Sequence, residues 1–325
     1  MFISAVLRAA AVLGVVLCAP VQAAESLSIG VLKFGTVNWE LDTIKHHELD
    51  KANGFELEIA PFGGDQATKV ALQGEAVDGI VSDWLWVSRQ RSEGRGFAMV
   101  PYSSAVGALM VPADSAIAGL DDLAGKKIGV AGGPLDKSWL LLRALVERAH
   151  GIDLAQAAEP VFGAPPLLSQ KLIEGELDAT LNYWHHCARL EAKGYRRLVE
   201  VTDVMAELGV DGDVPALGYV FPQDLIDAKP GLIAAFANAS KQAKAILADE
   251  DGEWQRLREL TKAEDDATLD AFMTRFRAGI PGEDSAAQRA AAAELFAILA
   301  QEGGEELVGP GATLAEGTFW TPAEG

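Results

Sequence analysis

Two sets of aromatic and acidic residues, about one hundred positions apart, have the types and spacing of a binding site. In each set an Asp is followed six residues later by a Trp: Asp78 by Trp84, and Asp178 by Trp184. Aromatic rings attract planar and cationic groups, and each cation–π contact is worth about 0.5–2 kcal/mol. A carboxylate beside such a ring, as Asp83 is beside Trp84, strengthens the preference for positive charge. Where such residues lie together in a cleft, they favour a planar or cationic organic ligand.

The sequence lacks the motifs of metal binding, nucleotide binding and covalent catalysis. The pairs His46-His47 and His185-His186 would point their side chains about 100° apart on a helix, so neither pair suits a metal ion. No His-Glu-x-x-His or Cys-x-x-Cys pattern is present. A Gly-rich stretch before Lys137 lacks the spacing of a phosphate-binding loop, and no Gly-x-Ser-x-Gly elbow occurs. We expect no catalytic residues, no metal and no cofactor.

The composition limits the class of partner. The 325 residues include 27 Lys and Arg against 47 Asp and Glu, which gives a formal net charge of −20. Proteins bind a phosphate backbone or an anionic membrane surface through Lys and Arg, so neither is expected as a partner. The length suggests about two domains. Two Cys residues cannot form a disulfide framework.

Residues 1–23 have the pattern of a cleaved secretory signal peptide. Arg8 is the only charge in this stretch, an apolar run follows it, and small residues stand where a signal peptidase cuts. A retained anchor would need about 20 uninterrupted apolar residues, and Pro20 ends this run early. A lipid on Cys18 is an alternative, although Leu17 is large for such a site. We expect export to the periplasm, where Cys187 is packed as a small hydrophobic side chain.

Short apolar runs alternate with amphipathic stretches over most of the remaining chain, which is typical of an α/β protein. From about Pro222 the pattern is almost entirely helical. A polar turn is expected over residues 33–39, and Asp65 is expected to cap a later helix. The predicted strands are 26–32, 55–60, 78–81, 97–100, 106–111, 127–131, 159–162, 177–181, 197–201 and 216–221.

The matched Asp and Trp positions belong to a longer internal repeat. Gly63 and Gly163 each follow a predicted strand and precede a helix, and Arg89 and Arg189 stand at matching offsets further on. A period of about one hundred residues is far longer than that of a solenoid. It predicts a strand–Gly–helix–strand unit that occurs once in each of two similar lobes.

The repeat also predicts how the chain is divided. Lobe one is expected to contain residues 24–112 and 214–325, and lobe two residues 113–213. Segments rich in Asp and Gly at 114–125 and 211–215 are the expected connections. Because the chain would pass twice between the lobes, the two crossings are expected to form a hinge.

Three segments together resemble the periplasmic substrate-binding proteins of ABC importers, and in particular their nitrate/taurine/sulfonate-type group. Residues 63–84, GGDQATKVALQGEAVDGIVSDW, resemble that group's first-lobe signature. Residues 120–133, LDDLAGKKIGVAGG, resemble its passage into the second lobe, and residues 172–184, LIEGELDATLNYW, its second ligand segment. The resemblance spans nearly all of the chain after residue 23. It implies a two-lobed type II clamshell, with a mixed sheet flanked by helices in each lobe, a ligand in the cleft and delivery to a membrane permease.

The resemblance places the ligand contacts in strand-end loops that face the cleft. Ligands of open α/β sheets do bind at the carboxyl ends of strands, beside helix N-termini. We expect Trp84 and Trp184 to face each other across the cleft, with packing inside the lobes as the alternative for several of the Trp residues. The implied ligand-binding residues are Thr36, Asn38, Trp39, Asp65, Gln66, Ser82, Asp83, Trp84, Gly133, Asp136, Trp139, Asn182, Tyr183, Trp184 and His185.

The acids among these residues depart from what an anion-binding cleft needs. Asp65, Asp83 and Asp136 would cap the free N–H groups of helices themselves and add negative charge. No Arg lies in the strand-end loops that contain them, although Lys33 and Lys137 lie close by. We therefore expect a nitrogenous or aromatic ligand, with a sulfonate, taurine or nitrate as the alternative.

Two other functions are compatible with the same fold. Pyrimidine synthases of thiamine biosynthesis resemble this group, but they use a Cys-rich motif and act inside the cell, whereas this chain offers Cys187 and an export pattern. A ligand-sensing protein without transport is the other alternative. The expected partners are a small-molecule ligand and the permease subunits of an ABC importer, and the protein is expected to be a monomer.

Overall fold

The computed structural model describes residues 25–283 and 285–321, so the predicted signal peptide lies outside the described residues. Within this part of the chain, ten strands form two sheets. The strands are β1 (Glu25–Leu32), β2 (Phe55–Phe62), β3 (Gly79–Asp83), β4 (Phe97–Ser103), β5 (Gly107–Val111), β6 (Lys127–Ala131), β7 (Glu159–Gly163), β8 (Ala179–Tyr183), β9 (Arg196–Glu200) and β10 (Leu217–Pro222).

The two sheets have the same topology. The first has the strand order β2-β1-β3-β10-β4 and the second the order β7-β6-β8-β5-β9. In each sheet the first three strands are parallel, and the fourth, β10 or β5, is antiparallel to both of its neighbours. This arrangement confirms the predicted α/β class, with two lobes that each contain one mixed sheet. We call the lobe built on the first sheet lobe one and the other lobe two.

Helices flank both sheets. The helices are α1 (Val37–His46), α2 (Leu49–Ala52), α3 (Asp65–Gln73), α4 (Trp84–Ser92), α5 (Lys137–His150), α6 (Leu154–Ala157), α7 (Pro165–Ile173), α8 (Trp184–Ala192), α9 (Val201–Glu207), α10 (Gln223–Ala228), α11 (Pro230–Asp249), α12 (Asp251–Arg256), α13 (Arg258–Thr261), α14 (Asp266–Ala278) and α15 (Ser285–Val308). Helix α15 is interrupted at Gly304. None of the described helices is both long and apolar enough to span a membrane.

The chain changes sheet earlier than the expected boundary after residue 112. Strand β5 pairs with β8 and β9, so it belongs to lobe two. The first crossing therefore lies between Ser103 and Gly107. Gly107 has a φ of +157°, and a Cβ added there would collide with the carbonyl oxygen of Asn182, so the close approach of β5 to β8 requires glycine at this position.

The internal repeat has an architectural role. The Asp78 carboxylate accepts a hydrogen bond from the Ser28 N–H at 2.7 Å, and the Asp178 carboxylate accepts one from the Lys127 N–H at 2.7 Å. Each Asp thus fixes the beginning of the central strand of its sheet. Arg89 and Arg189 are also equivalent, since each donates to backbone carbonyls of the C-terminal helical region.

The C-terminal helices join the lobes. Helix α14 packs against α8 of lobe two, whereas α15 packs against both α4 of lobe one and α5 of lobe two. Helices α4 and α8 are the equivalent helices that begin with Trp84 and Trp184. Each copy of the repeat is therefore covered by a helix from the same C-terminal segment.

A buried ion pair anchors α11 to lobe one. The Glu40 carboxylate is fully buried and lies 2.8 Å from the Lys244 ammonium. Its other oxygen accepts hydrogen bonds from the Tyr219 hydroxyl at 2.9 Å and from the Ser240 hydroxyl at 2.6 Å. A buried charge is tolerated when it has such partners, and it becomes costly when one is removed.

Replacement of Lys244 by Met should therefore lower the free energy of unfolding by about 3–5 kcal/mol, because the Glu40 charge stays buried without its counter-ion. The double variant Glu40→Gln/Lys244→Met should lose less than the sum of the two single variants. Urea unfolding of all four proteins measures this coupling. Additive losses would show that the two charges do not depend on each other.

Candidate functional site

A cavity of about 370 Å³ lies between the lobes, at the carboxyl ends of β1, β3 and β8. Both lobes and both chain crossings contribute to its lining. The volume is within the range of about 300–1,000 Å³ that small-molecule sites occupy. The topology explains its position, because parallel strands end at the same edge of a sheet and the two edges face each other.

Nine of the fifteen residues predicted to bind ligand line this cavity. They come from the loop before α1, the first turn of α3, the ends of β3 and β8, and the starts of α4, α5 and α8. The nine residues are Thr36, Asp65, Ser82, Asp83, Trp84, Asp136, Tyr183, Trp184 and His185.

Three predicted polar or small residues do not line the cavity. The Asn38 amide donates to the carbonyl oxygens of Leu32 and Gly35 at 2.9 and 2.7 Å, so it holds the loop rather than a ligand. Gln66 is exposed on α3, and Gly133 lies in the loop before α5. Asn38 and Gln66 thus lie in the first turns of α1 and α3 rather than in loops, and none of the three residues lines the cavity.

Asn182 and two tryptophans are buried structural residues instead. The Asn182 amide donates to the Pro165 carbonyl at 3.0 Å and to the Ser169 hydroxyl at 3.1 Å, which fixes the start of α7. Trp39 was expected in a polar turn, but α1 begins at Val37 and directs this ring into the core.

Trp39 and Trp139 occupy equivalent positions in α1 and α5, and both are at most 5% exposed. Trp39 packs edge-on against Trp254 with the ring centroids 5.8 Å apart, and Trp139 packs edge-on against Phe162 at 6.4 Å. Large rings in the first turns of these helices thus fill the lobe interiors. These two tryptophans therefore pack inside the protein and do not line the cavity.

Trp84 and Trp184 both line the cavity, yet most of each ring is buried. Trp84 is 1% exposed and belongs to the core that α5 and α15 share with it. Trp184 is 7% exposed, and its ring lies edge-on to Trp39 with the centroids 5.7 Å apart. Each ring therefore leaves only a small part of its surface exposed and packs with the rest. Their position opposite one another across the cleft stays a prediction.

Asp83 is the acidic group that connects the lobes. It caps α4, because one carboxylate oxygen accepts a hydrogen bond from the Trp86 N–H at 3.0 Å. The other oxygen lies 3.5 Å from the ammonium of Lys137, which begins α5 in lobe two. Burial opposes its ionisation, but Lys137, the Trp86 N–H and Lys69 outweigh burial and lower the pKa of Asp83. The carboxylate is thus charged at neutral pH.

Asp136 and Tyr183 form a second polar group on the lobe-two side. Asp136 caps α5 as predicted, since it accepts hydrogen bonds from the N–H groups of Ser138 and Trp139 at 3.0 and 3.3 Å. A Cβ added to Gly132, whose φ is +93°, would lie 3.3 Å from both the Asp136 Oδ2 and the Tyr183 hydroxyl oxygen. Those two atoms therefore converge over a glycine. Burial raises the pKa of Asp136, and burial together with Asp136 and Asp83 raises the pKa of Tyr183 to about 12.

Asp65 lines the cavity but does not cap α3 as expected. Gly64 is the N-cap residue, and Asp65 is the first residue of the helix. Its carboxylate lies 2.7 Å from the Lys69 ammonium one turn further on. Asp65 therefore lines the cavity with its negative charge balanced by the Lys69 ammonium.

His185 presents an uncharged imidazole to the cavity. Burial, with His186 and Arg189 nearby, lowers the pKa of His185 to about 3, and burial with Arg189 lowers the pKa of His186 to about 4. Both rings are therefore neutral at physiological pH. Among residues 25–283 and 285–321, no group of three or more His, Cys, Asp or Glu side chains is arranged to hold a metal ion.

The sequence analysis missed the apolar part of the lining. Tyr102, at the end of β4, contributes a hydroxyl that makes no hydrogen bond in the described part of the chain. Most of the other missed residues are aliphatic, and they come from helices and crossings that are distant in sequence. They include Leu141, Val201, Met205, Val214, Leu295 and Leu299. No local motif identifies such residues, because in the sequence each one is indistinguishable from an apolar residue of the hydrophobic core.

The model of the family described as NMT1/THI5 like matches residues 51–252 of this chain. No curated protein matches the sequence. Among solved structures, the periplasmic aliphatic sulphonate binding protein SsuA from Escherichia coli is 18% identical with a TM-score of 0.71, and the match covers 92% of this chain and 93% of that one. The alkanesulfonate-binding protein SsuA from Xanthomonas axonopodis pv. citri, bound to MOPS, is also 18% identical, with a TM-score of 0.67 and coverage of 92% and 99%.

A further solved structure has the same fold. A variant of DszB in complex with biphenyl-2-sulfinic acid is 16% identical to this chain, with a TM-score of 0.57 and coverage of 86% of this chain and 93% of that one. At these identities the likenesses establish the fold alone. They confirm the predicted two-lobed clamshell of the periplasmic binding proteins.

The neutral imidazoles generate a pH dependence that can be measured. A His whose pKa is lowered in the folded state binds fewer protons there than in the unfolded chain, so stability falls as the pH falls below about 6.5. The variant His185→Gln should lose less stability than the wild type between pH 7 and pH 5, by on the order of 1 kcal/mol.

Urea unfolding at the two pH values measures the difference, and pH 5 lies above the ordinary range of carboxyl titration. The matched control is His150→Gln, since His150 is exposed at the end of α5. Equal losses in wild type and His185→Gln would show that the imidazole is accessible to protons in the folded protein.

Proposed function

This chain belongs to the NMT1/THI5-like family, and we propose that it is an extracytoplasmic solute-binding protein. It captures a small organic molecule and delivers it to an ABC permease. The observation that carries the proposal is the cavity between the lobes. Its lining includes strand-end residues of both sheets and residues of both crossings. A molecule inside it can therefore contact both lobes, which change their relative position when a clamshell closes.

The ion pair between Asp83 and Lys137 supports this function. It spans the cleft at 3.5 Å and connects the cap of α4 in lobe one with the first residue of α5 in lobe two. A ligand that replaces or extends this contact would stabilise the closed arrangement relative to an open one. Such differential contact is what allows a ligand to shift a conformational equilibrium.

The cavity favours a nitrogenous or aromatic ligand over a sulfonate. Its acidic and basic lining residues are Asp65, Asp83, Asp136 and Lys137, with His185 neutral. Lys69 balances Asp65, and Asp83 is ionised beside Lys137, whereas burial raises the pKa of Asp136. The Asp83 and Asp136 side chains already occupy the N-termini of α4 and α5, where an anion would otherwise bind.

An enzyme of the DszB type is a weaker candidate. Cys187 is the only cysteine in the described residues, and it is fully buried. Its thiol donates to the carbonyl oxygens of Asn182 and Ala108, and burial raises its pKa to about 12. The reactive form of a cysteine is the thiolate. Cys187 therefore serves as a packed side chain rather than as a nucleophile.

We further propose that the protein acts in the periplasm, as a monomer, with the permease subunits of an importer as its protein partners. The signal-peptide pattern of residues 1–23 supports this location. A ligand-sensing role without transport uses the same clamshell. Loss of uptake of the ligand on deletion of the gene distinguishes transport from sensing.

The charge argument predicts the effect of one substitution. Asp83→Asn keeps the size and the helix cap, because Asn and Asp are about equally good N-cap residues. It should weaken binding of a cationic ligand by about 1–3 kcal/mol, the cost of losing a hydrogen bond to a charged group. It should also strengthen binding of a sulfonate, because Lys137 is left without its counter-ion.

The measurement starts from a thermal-shift screen of amines, aromatic bases and sulfonates, since a ligand that binds only the folded protein raises its stability. Calorimetric titration then compares wild type, Asp83→Asn and the exposed control Glu147→Gln on α5. Tightest binding of taurine, an alkanesulfonate or nitrate by the wild type would contradict the proposed ligand class and leave the solute-binding function in place.

Export predicts a defined N-terminus. Mass spectrometry of periplasmic material should find a mature chain that begins near Ala24 or Glu25, because the small residues before this point suit a signal peptidase. A chain with an intact Met1 in the cytosolic fraction would contradict both the location and the transport function.

A further inference from the structure

The lining of the cavity between the lobes contains two chemically different groups of side chains. One group carries charges or hydroxyls and includes Asp83, Asp136 and Tyr183. The other group consists of aliphatic side chains that are at most 5% exposed. They are Leu141, Val201, Met205, Val214, Leu295 and Leu299. We call these six residues the aliphatic end.

The aliphatic end is built where four parts of the chain meet. Leu141 belongs to α5 and both Val201 and Met205 to α9 in lobe two. Val214 lies on the second crossing, and Leu295 and Leu299 lie on α15. These side chains belong to one continuous hydrophobic core. The six side chains thus form one aliphatic surface of the cavity, where lobe two and the C-terminal helix meet.

An aliphatic surface offers water few hydrogen bonds. Burial of a hydrocarbon group against it is favourable, because apolar area is removed from water. A ligand that fits this cavity should therefore have a hydrocarbon part that contacts the aliphatic end and a polar part that contacts Asp83 and Asp136. Trp84 lines the same cavity with only 1% of its surface exposed.

The charged end determines which polar part fits. Asp83 supplies a charged carboxylate 3.5 Å from the Lys137 ammonium, and Asp136 supplies a second carboxyl group. A protonated nitrogen can donate to both carboxyl groups and favours the ionised form of Asp136, whereas an anionic head would compete with Asp83 for the one ammonium. The cap positions of both carboxylates also keep them close to the cavity, since each is held by backbone N–H groups.

We propose, on the basis of the solute-binding function, that the ligand is an amphiphilic organic cation whose protonated nitrogen binds between Asp83 and Asp136 and whose hydrocarbon part occupies the aliphatic end. The contact of the hydrocarbon with Val214 on the second crossing and with Leu295 on α15 connects binding to the relative position of the lobes.

The proposal is tested by calorimetric titration with a matched series of probes: methylamine, butylamine and hexylamine, together with hexanol and hexanesulfonate. Each methylene that enters the aliphatic end should raise affinity up to about fourfold, which corresponds to about 0.8 kcal/mol for a buried methylene. Among the six-carbon probes, the amine should bind most tightly and the sulfonate most weakly.

Two variants of α5 separate a role in binding from a role in stability. Leu141 lines the cavity, whereas Leu145 lies one turn further on and does not, and both are at most 2% exposed in the same core. Leu141→Ala enlarges the aliphatic end, so the best alkylamine should become longer by one or two methylenes. Leu145→Ala should destabilise the fold while the preferred chain length stays that of the wild type.

Equal affinities for methylamine and hexylamine would overturn the role of the aliphatic end. A preference for hexanesulfonate over hexylamine would overturn the cationic head. An identical chain-length preference in Leu141→Ala and the wild type, with both proteins folded, would also overturn the assignment. In all three cases a different ligand from the thermal-shift screen would still support the solute-binding function, which fails only if no small molecule of any class stabilises the protein.

Discussion

The parallel direction of the central strands is the constraint on which the cavity depends. Strands β1 and β3 in lobe one and β6 and β8 in lobe two all end at the edge of their sheet that faces the other lobe. The helices that follow them begin there, and so their caps and first turns form the walls. The fourth strand of each sheet, β10 or β5, begins at the same edge, directly after a crossing. The cavity and the two chain crossings are therefore adjacent because of topology alone.

The tryptophans at the helix starts couple the two lobes. Trp84 begins α4 in lobe one but packs in the core that contains α5 of lobe two, and Trp184 begins α8 in lobe two but packs against Trp39 of lobe one. Each lobe thus contributes one tryptophan ring that packs against side chains of the other lobe. The C-terminal helices α14 and α15 cover these contacts. Because buried rings contribute much of the packing energy at such a contact, the repeat serves the interface between lobes as well as the cavity.

Every predicted strand corresponds to an observed one. Most of the strands are short apolar runs, and β2 alternates apolar and acidic residues, so both patterns could be recognised in the sequence. The caps Asp83 and Asp136 were also predictable, because an Asp before a helix has a local physical reason. Trp39 was misplaced because α1 begins at Val37, and a shift of a helix start by three residues turns a side chain from the cleft to the core. The aliphatic end had no local signal, since Leu141, Val214 and Leu299 come together only through the fold.

The two halves of the repeat have diverged into complementary rather than identical surfaces. Asp83 in lobe one corresponds to Tyr183 in lobe two, and Thr36, the N-cap of α1, corresponds to Asp136, the N-cap of α5. Each lobe therefore presents one acidic and one hydroxyl-bearing helix start. Four acids at these positions would repel one another in a buried site, and four hydroxyls would leave the helix N-termini free for an anion. The observed mixture instead places Asp83 and Asp136 at the N-termini of α4 and α5 and hydroxyl groups at the other two helix starts.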